Sequence, residues 1–242
     1  MSSTSTKTPR RLETLSPATA LILGQTEYEE AMSLMERLRL SRIAGDAHDH
    51  LLFLEHPPVV TIGRCDSEGD LILSKEKLHE NRIKLLKTNR GGKLTYHGPG
   101  QLVVYFVVDI QKLFLGIDRF VSKVTEGIKE FLAQEGVDTK MECGRPGLYV
   151  GPKKIASVGF HIHRSVSSHG AAVNLSCDLT PFSYFHPCGE TGGSVTSLLQ
   201  ESGRSTTLRE ASRRLAGIYS ALFGWELSIN QESANLFSDE GG

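Results

Sequence analysis

Residues 90–108 read RGGKLTYHGPGQLVVYFVV. The second half of this stretch decides the fold class. Leu102–Val108 is the longest unbroken apolar run in the chain, and Asp109 ends it. Its valines and aromatics predict a strand buried on both faces. A membrane span needs about 20 apolar residues, so the run is too short to be one. Working outward, Tyr28, Ala31, Met32, Met35 and Leu38 recur at helical spacing, which predicts a helix over 26–44 stopped by Gly45. Ile117, Phe120, Val121, Val124, Ile128, Phe131 and Leu132 form a second stripe ended by Gly136. Leu208, Ala211, Leu215, Ile218, Tyr219 and Leu222 form a third over about 207–223. A short helix is expected over 74–81. Further strands are expected at 20–23, 51–54, 59–62, 83–86, 148–150, 155–162 and 171–175. Strands and helices alternate without regular βαβ spacing. The fold class is therefore α/β of the α+β type, a mixed sheet with helices packed on it, and not a doubly wound one.

The chain has 242 residues with 27 Lys+Arg against 28 Asp+Glu, a net charge of −1. That excludes a global field for nucleic acid or acidic membranes, and neither is expected as a partner. Hydrophobic residues make up 39% and charged residues 23%, enough to bury a core without staples. One domain is expected over 18–230, with a disordered tail at 1–17 and a flexible tail at 231–242. Eight of the first seventeen residues are Ser or Thr. The expected compartment is the cytoplasm, or a mitochondrion or plastid if the source is eukaryotic and residues 1–17 are a transit peptide. Cys65, Cys143, Cys177 and Cys188 form no Cys-x-x-Cys pair, so free thiols in a reducing compartment are expected and a zinc ribbon is not.

Three polar, glycine-bearing segments interrupt the apolar pattern. Arg90–Gln101 holds four glycines in twelve residues. It is either a backbone cradle for a ligand or two turns flanking a short strand. It lacks the Gly-Lys-Ser/Thr ending of a phosphate-binding loop. Lys154 opens the run Ile155-Ala156-Ser157-Val158-Gly159. It is either a desolvated lysine able to act as a base or an ordinary solvated strand end. In His186-Pro187-Cys188-Gly189 the thiol sits on a shaped turn, as a nucleophile or as a buried structural cysteine. His161 and His163 would share one face of a strand, and no further pair stands at metal-ligand spacing.

These segments together resemble the protein octanoyltransferase family, the lipoyl(octanoyl) transferases or lipoate–protein ligase B. The matching residues are Arg90-Gly91-Gly92, Thr95, His97-Gly98-Pro99-Gly100-Gln101, Lys154-Ile155-Ala156, Gly159, His169-Gly170, Ala172, Asn174, Asp178-Leu179, Phe182 and Pro187-Cys188-Gly189. Glu55-His56-Pro57-Pro58-Val59 and Gly63-Arg64 also match, so the likeness spans roughly residues 20–225. It implies a largely antiparallel mixed sheet like that of biotin–protein ligases and lipoate ligases. It implies transfer of an octanoyl group from octanoyl-acyl carrier protein to one lysine of a lipoyl domain, in 2-oxoacid dehydrogenase complexes or the glycine-cleavage H protein. The acyl-accepting cysteine falls on Cys188 and its paired lysine on Lys154. The acyl-binding segments fall on Arg90, Gly91, Gly92, Lys93, Leu94, Thr95, Tyr96 and His97, on Ser157, Val158 and Gly159, and on Gly170, Ala171 and Ala172.

The residue types suit that reaction. A thiolate is the natural nucleophile for a thioester. Passing an acyl group from sulfur to nitrogen runs downhill, so neither ATP nor a metal is expected as cofactor. Lys93, Arg145, Lys153 and Arg164 are candidates for a patch facing an acidic carrier. The alternative on the same fold is an ATP-dependent lipoate or biotin protein ligase. A zinc-binding module and a cysteine hydrolase are more distant readings.

Overall fold

A computed structural model describes residues 15–65, 68–142, 144–185 and 194–230. In chain order the elements are β1 (Ser16–Gln25), α1 (Tyr28–Ala44), β2 (Asp49–Glu55), β3 (Val59–Ile62), α2 (Lys75–Glu80), β4 (Lys84–Lys87), β5 (Leu94–His97), β6 (Gln101–Val107), α3 (Ile117–Gln134), β7 (Lys140–Glu142), β8 (Arg145–Val150), β9 (Lys153–His163), β10 (Val166–Asn174), α4 (Leu198–Ser202), α5 (Leu208–Phe223) and β11 (Trp225–Asn230). The main sheet has the order β11-β1-β2-β6-β10-β9-β8-β7. β1 pairs in parallel with β11 and β2, and the remaining pairings are antiparallel. This is the mixed sheet that the residue pattern predicted, largely antiparallel as the resemblance implied.

β6 lies at the centre, and this position explains the apolar run that follows Gln101. Leu102, Val104 and Phe106 pack on one side with Phe120, Val124 and Ile128 of α3 and Leu215 and Tyr219 of α5. Val103, Tyr105 and Val107 pack on the other with Ala31, Leu34 and Met35 of α1. Side chains alternate across a strand, so only cover on both faces makes every position apolar. Each helix is ended by its own local chemistry. Thr207 and Glu210 form a reciprocal capping box at the start of α5, and Gly224 ends it in the left-handed region. Gly45 does the same for α1.

A second sheet, β4-β3-β5, has a separate core of Val60, Ile62, Leu94 and Tyr96 with Leu78, Phe182 and Phe185. The loop between β4 and β5 reaches back to the main sheet, where Gly91 N–H donates to the Phe160 carbonyl at 3.0 Å. A cleft is left between that loop and the main sheet. β1 begins at Ser16 and so takes in two residues read as tail. β10 begins at Val166, five residues before the expected start. Three of its extra residues, Ser167, Ser168 and His169, are polar yet buried; the Ser167 hydroxyl donates to the Phe106 carbonyl and accepts from Val108 N–H. β7, β11 and α4 were not expected at all.

Candidate active site

The cleft has a volume of about 650 Å³, counting the space at its open mouth. Arg90–Thr95 and His97 form one wall. Lys154, Ser157–Gly159 and Gly170–Ala172 form the other. Three segments far apart in sequence thus meet around one space. Tyr96 is the exception among the expected binding residues. Strand alternation turns its ring away, edge-on to Phe182 at 5.6 Å in the core of the small sheet. Arg90 is buried and ties the loop to β3: its guanidinium donates to Thr61 Oγ1 and carbonyl and to the Gly91 carbonyl. Gly159 faces Gly91 so closely that an added Cβ would sit 3.0 Å from the Gly91 carbonyl oxygen. A glycine there lets the loop lie directly on β9.

Lys154 stands at one end of the cleft. Its N–H donates to the Ser194 carbonyl and its carbonyl accepts from Thr196 N–H, both at 2.9 Å. Its Nζ lies 5.5 Å from the centre of the Tyr149 ring. Its Cε runs alongside Gly147, where an added Cβ would be 2.9 Å away, so that glycine leaves room for the lysine side chain. Residues 186–193 lie outside the described residues, and Cys188 with them. Cys143 is outside them as well. Of the described cysteines, Cys65 is exposed and Cys177 is buried. Burial pushes the Cys177 thiol up to about 12.

Buried imidazoles and phenols line the cleft and back its walls, and no sequence spacing reveals how they converge. His56 Nδ1–H donates to the Thr26 carbonyl, which leaves Nε2 to accept from the Tyr105 hydroxyl, each at 2.8 Å. His97 Nδ1–H donates to Gln101 Oε1 at 2.7 Å. Gln101 Nε2 donates to Asn174 Oδ1, and Asn174 Nδ2 donates to the Thr196 carbonyl. The chain of bonds therefore ends on the segment that holds Lys154. Burial pulls His56 down to about 4 and His97 and His169 down to about 3, with the Thr26 bond opposing it at His56 and neighbouring His56 adding to it at His97. All three are neutral at pH 7.

A depressed histidine in the fold means that the unfolded chain binds more protons between the two titration ranges. Stability is then complete above pH 6.5 and falls as pH drops towards 4 and 3. The loss is at most about 1.4 kcal/mol per pH unit for each histidine. Urea melts between pH 7 and pH 5 are expected to show this fall, with a shallower slope in His97→Gln. Parallel slopes would remove the histidine layer as its cause.

Several other expectations find their places. His161 and His163 share the face of β9 that carries Ser157 and Gly159. Among the proposed docking cations, Lys93 pairs with Asp70, Arg145 with Glu142 and Lys153 with Glu201. Sequence reading missed Tyr28, Val103, Tyr105, Pro146 and His169 as lining residues. For Val103 and Tyr105 a signal was present: they are alternate residues of β6, on the face turned to α1.

Residues 27–219 match the model of the lipoyl protein ligase A/B catalytic domain. The chain belongs to that family. It is 38% identical over 200 residues to an octanoyltransferase of Dictyoglomus turgidum, covering 83% of this chain and 84% of that one. Among solved structures it is similar to a bi-partite lipoate protein ligase from Thermoplasma acidophilum, with a TM-score of 0.69 at 19% identity over 89% of this chain and 87% of that chain. It is also similar to a biotin protein ligase from Aquifex aeolicus, with a TM-score of 0.53 at 13% identity over 85% and 70%. At these identities the two structures speak to the fold, which is the one expected. No helix among the described residues is long and apolar enough to cross a membrane.

Proposed function

We propose that this chain is an octanoyltransferase that moves an octanoyl group from octanoyl-acyl carrier protein to a lysine of lipoyl domains through a thioester on Cys188. The named relative supports the reaction class. One structural observation carries the mechanism. The chain six residues after Cys188 is hydrogen-bonded to Lys154 at the end of a cleft walled by Val103, Val158, Ala171 and Ala172. This tether supports a meeting of Cys188 and Lys154 at the mouth of an apolar slot.

In water a thiol titrates near 8.5 and an amine near 10.4, so a shared proton prefers the amine by about 2 units, or ~2.6 kcal/mol. Where Lys154 lies against Cys188 in polar surroundings, a thiolate–ammonium pair is the form from which the reaction starts. The Cys188 thiolate attacks the carrier thioester carbonyl. Its S–C bond forms as the carrier S–C bond breaks, and the Lys154 ammonium protonates the departing sulfur. Neutral Lys154 next takes a proton from the acceptor lysine. The amine attacks the Cys188 thioester, the new C–N bond releases the thiolate, and the second amine proton leaves to solvent. The base matters because an amine titrating near 10.4 is mostly protonated at pH 7. A reducing compartment keeps the nucleophile as a thiol.

The slot supplies binding. About six buried methylenes contribute roughly 5 kcal/mol gross at ~0.8 kcal/mol each. No ATP, metal or other cofactor enters these steps. The test is octanoylation of a lipoyl domain by the purified chain from octanoyl-acyl carrier protein without ATP. Turnover is expected under those conditions. Strict dependence on ATP with free octanoate as donor would favour a ligase instead, and release of octanoate as the main product would favour a hydrolase.

A further inference from the structure

His169 has an anomalous place in β10. By strand alternation it belongs with Ala171 and Val173 on the side of α3 and α5, and its register partner Phe160 packs on that side. Its φ of +60° breaks the alternation. The backbone N–H donates to Met35 Sδ, and the ring turns into the cleft. There it stands edge-on to Tyr105 at 6.0 Å, with Nε2–H donating to Asn89 Oδ1. A non-glycine residue in the left-handed region is strained and persists where the surroundings impose it. Here the strained backbone delivers one buried ring to the end of the cleft remote from Lys154.

The spacing gives that ring a task. Lys154 Cε lies beside Gly147, whose register partner is Ser157. His169 is level with Phe160. Three strand residues separate the two levels, roughly 10 Å. An extended eight-carbon acyl chain, with C–C bonds of ~1.5 Å, is about 9 Å long. We propose that His169 is a specificity-determining residue, the stop that ends the acyl slot at about eight carbons. Asn89 and Tyr105 hold the stop in place. The inference rests on the octanoyl-transfer reading and adds to it the side chain that measures the donor.

The experiment compares hexanoyl, octanoyl, decanoyl and dodecanoyl carrier thioesters as donors to a lipoyl domain, in wild type, His169→Gly and Asn89→Ala. Glycine suits a φ of +60°, so His169→Gly removes the ring without asking the backbone to move. Its decanoyl-to-octanoyl ratio of kcat/KM is expected to rise about tenfold or more, with dodecanoyl becoming a substrate. Asn89→Ala frees the ring, and the ratio is expected to rise by a few fold. A ratio within twofold of wild type in folded His169→Gly overturns the proposal. If His169→Gly does not fold, an unchanged ratio in Asn89→Ala does so. Thermal shifts with the free fatty acids of the same lengths read the slot without turnover. A wild type that is stabilised best by octanoate, and His169→Gly by a longer acid, support the stop even where no transfer occurs, in which case the transfer reading alone fails.

Discussion

Lys154→Arg is expected to split the reaction into its halves. Arginine keeps a cation beside the thiolate but stays protonated under all working conditions, so it cannot serve as base. Acylation of Cys188 from the carrier thioester is expected to continue at a reduced rate. Transfer to the lipoyl domain is expected to fall by about 10²- to 10⁴-fold, the usual worth of a positioned general base. The octanoylated enzyme then accumulates, and rapid-quench intact mass reads it directly. Lys154→Met is expected to slow both halves, because it removes the cation and the base together. Equal loss of both steps in the arginine variant would mean that Lys154 only shapes the end of the cleft. Raising the pH deprotonates the acceptor amine without help. The deficit of Lys154→Arg in the second half is therefore expected to shrink as pH rises towards 10.

Cys188→Ser is expected to be the more severe change, with a loss of about 10³- to 10⁶-fold in transfer. A serine hydroxyl is far less acidic than a thiol, and a lysine amine does not ionise it. The cleft is built by other residues, so octanoate is expected to stabilise the serine variant against heat as it does wild type. Cys177 cannot take over. It is buried, and its thiol is pushed up to about 12, where almost none is thiolate at pH 7. Cys65 is exposed but lies in the turn after β3, where its N–H donates to the Gly92 carbonyl. A serine variant with wild-type turnover would require a direct attack by the acceptor amine on the carrier thioester.

The fold was legible where packing is two-sided. The run Leu102–Val108 and the stripes on α1, α3 and α5 each report the neighbour that covers them, and those elements stand within a few residues of their expected bounds. β11 carried a signal as well, since Trp225, Leu227 and Ile229 alternate with polar residues. That signal is weak, because only Trp225 is deeply buried and the strand is an edge. The start of β10 was hidden for a different reason. Ser167, Ser168 and His169 look like a loop, and their burial depends on hydrogen bonds to distant elements.

The walls of the cleft were legible through glycine. Gly91 and Gly159 are where two backbones touch, and a motif dense in glycine marks such contacts. The histidine layer was not legible. His56, His97 and His169 come from three separate segments, and no spacing in the chain announces that His56 and His169 meet at Tyr105 with His97 against His56. Nor does strand periodicity foretell the left-handed turn of His169, which it would have assigned to the opposite face.

The acyl relay is tested most directly by quenching the full chain in acid after brief exposure to octanoyl-acyl carrier protein, with no lipoyl domain present, and mapping the modified peptide. One octanoyl group per chain is predicted, attached to Cys188, discharged on adding a lipoyl domain, with Cys65, Cys143 and Cys177 unmodified. A lipoyl domain that becomes octanoylated at full rate while Cys188 never carries the acyl group would contradict it.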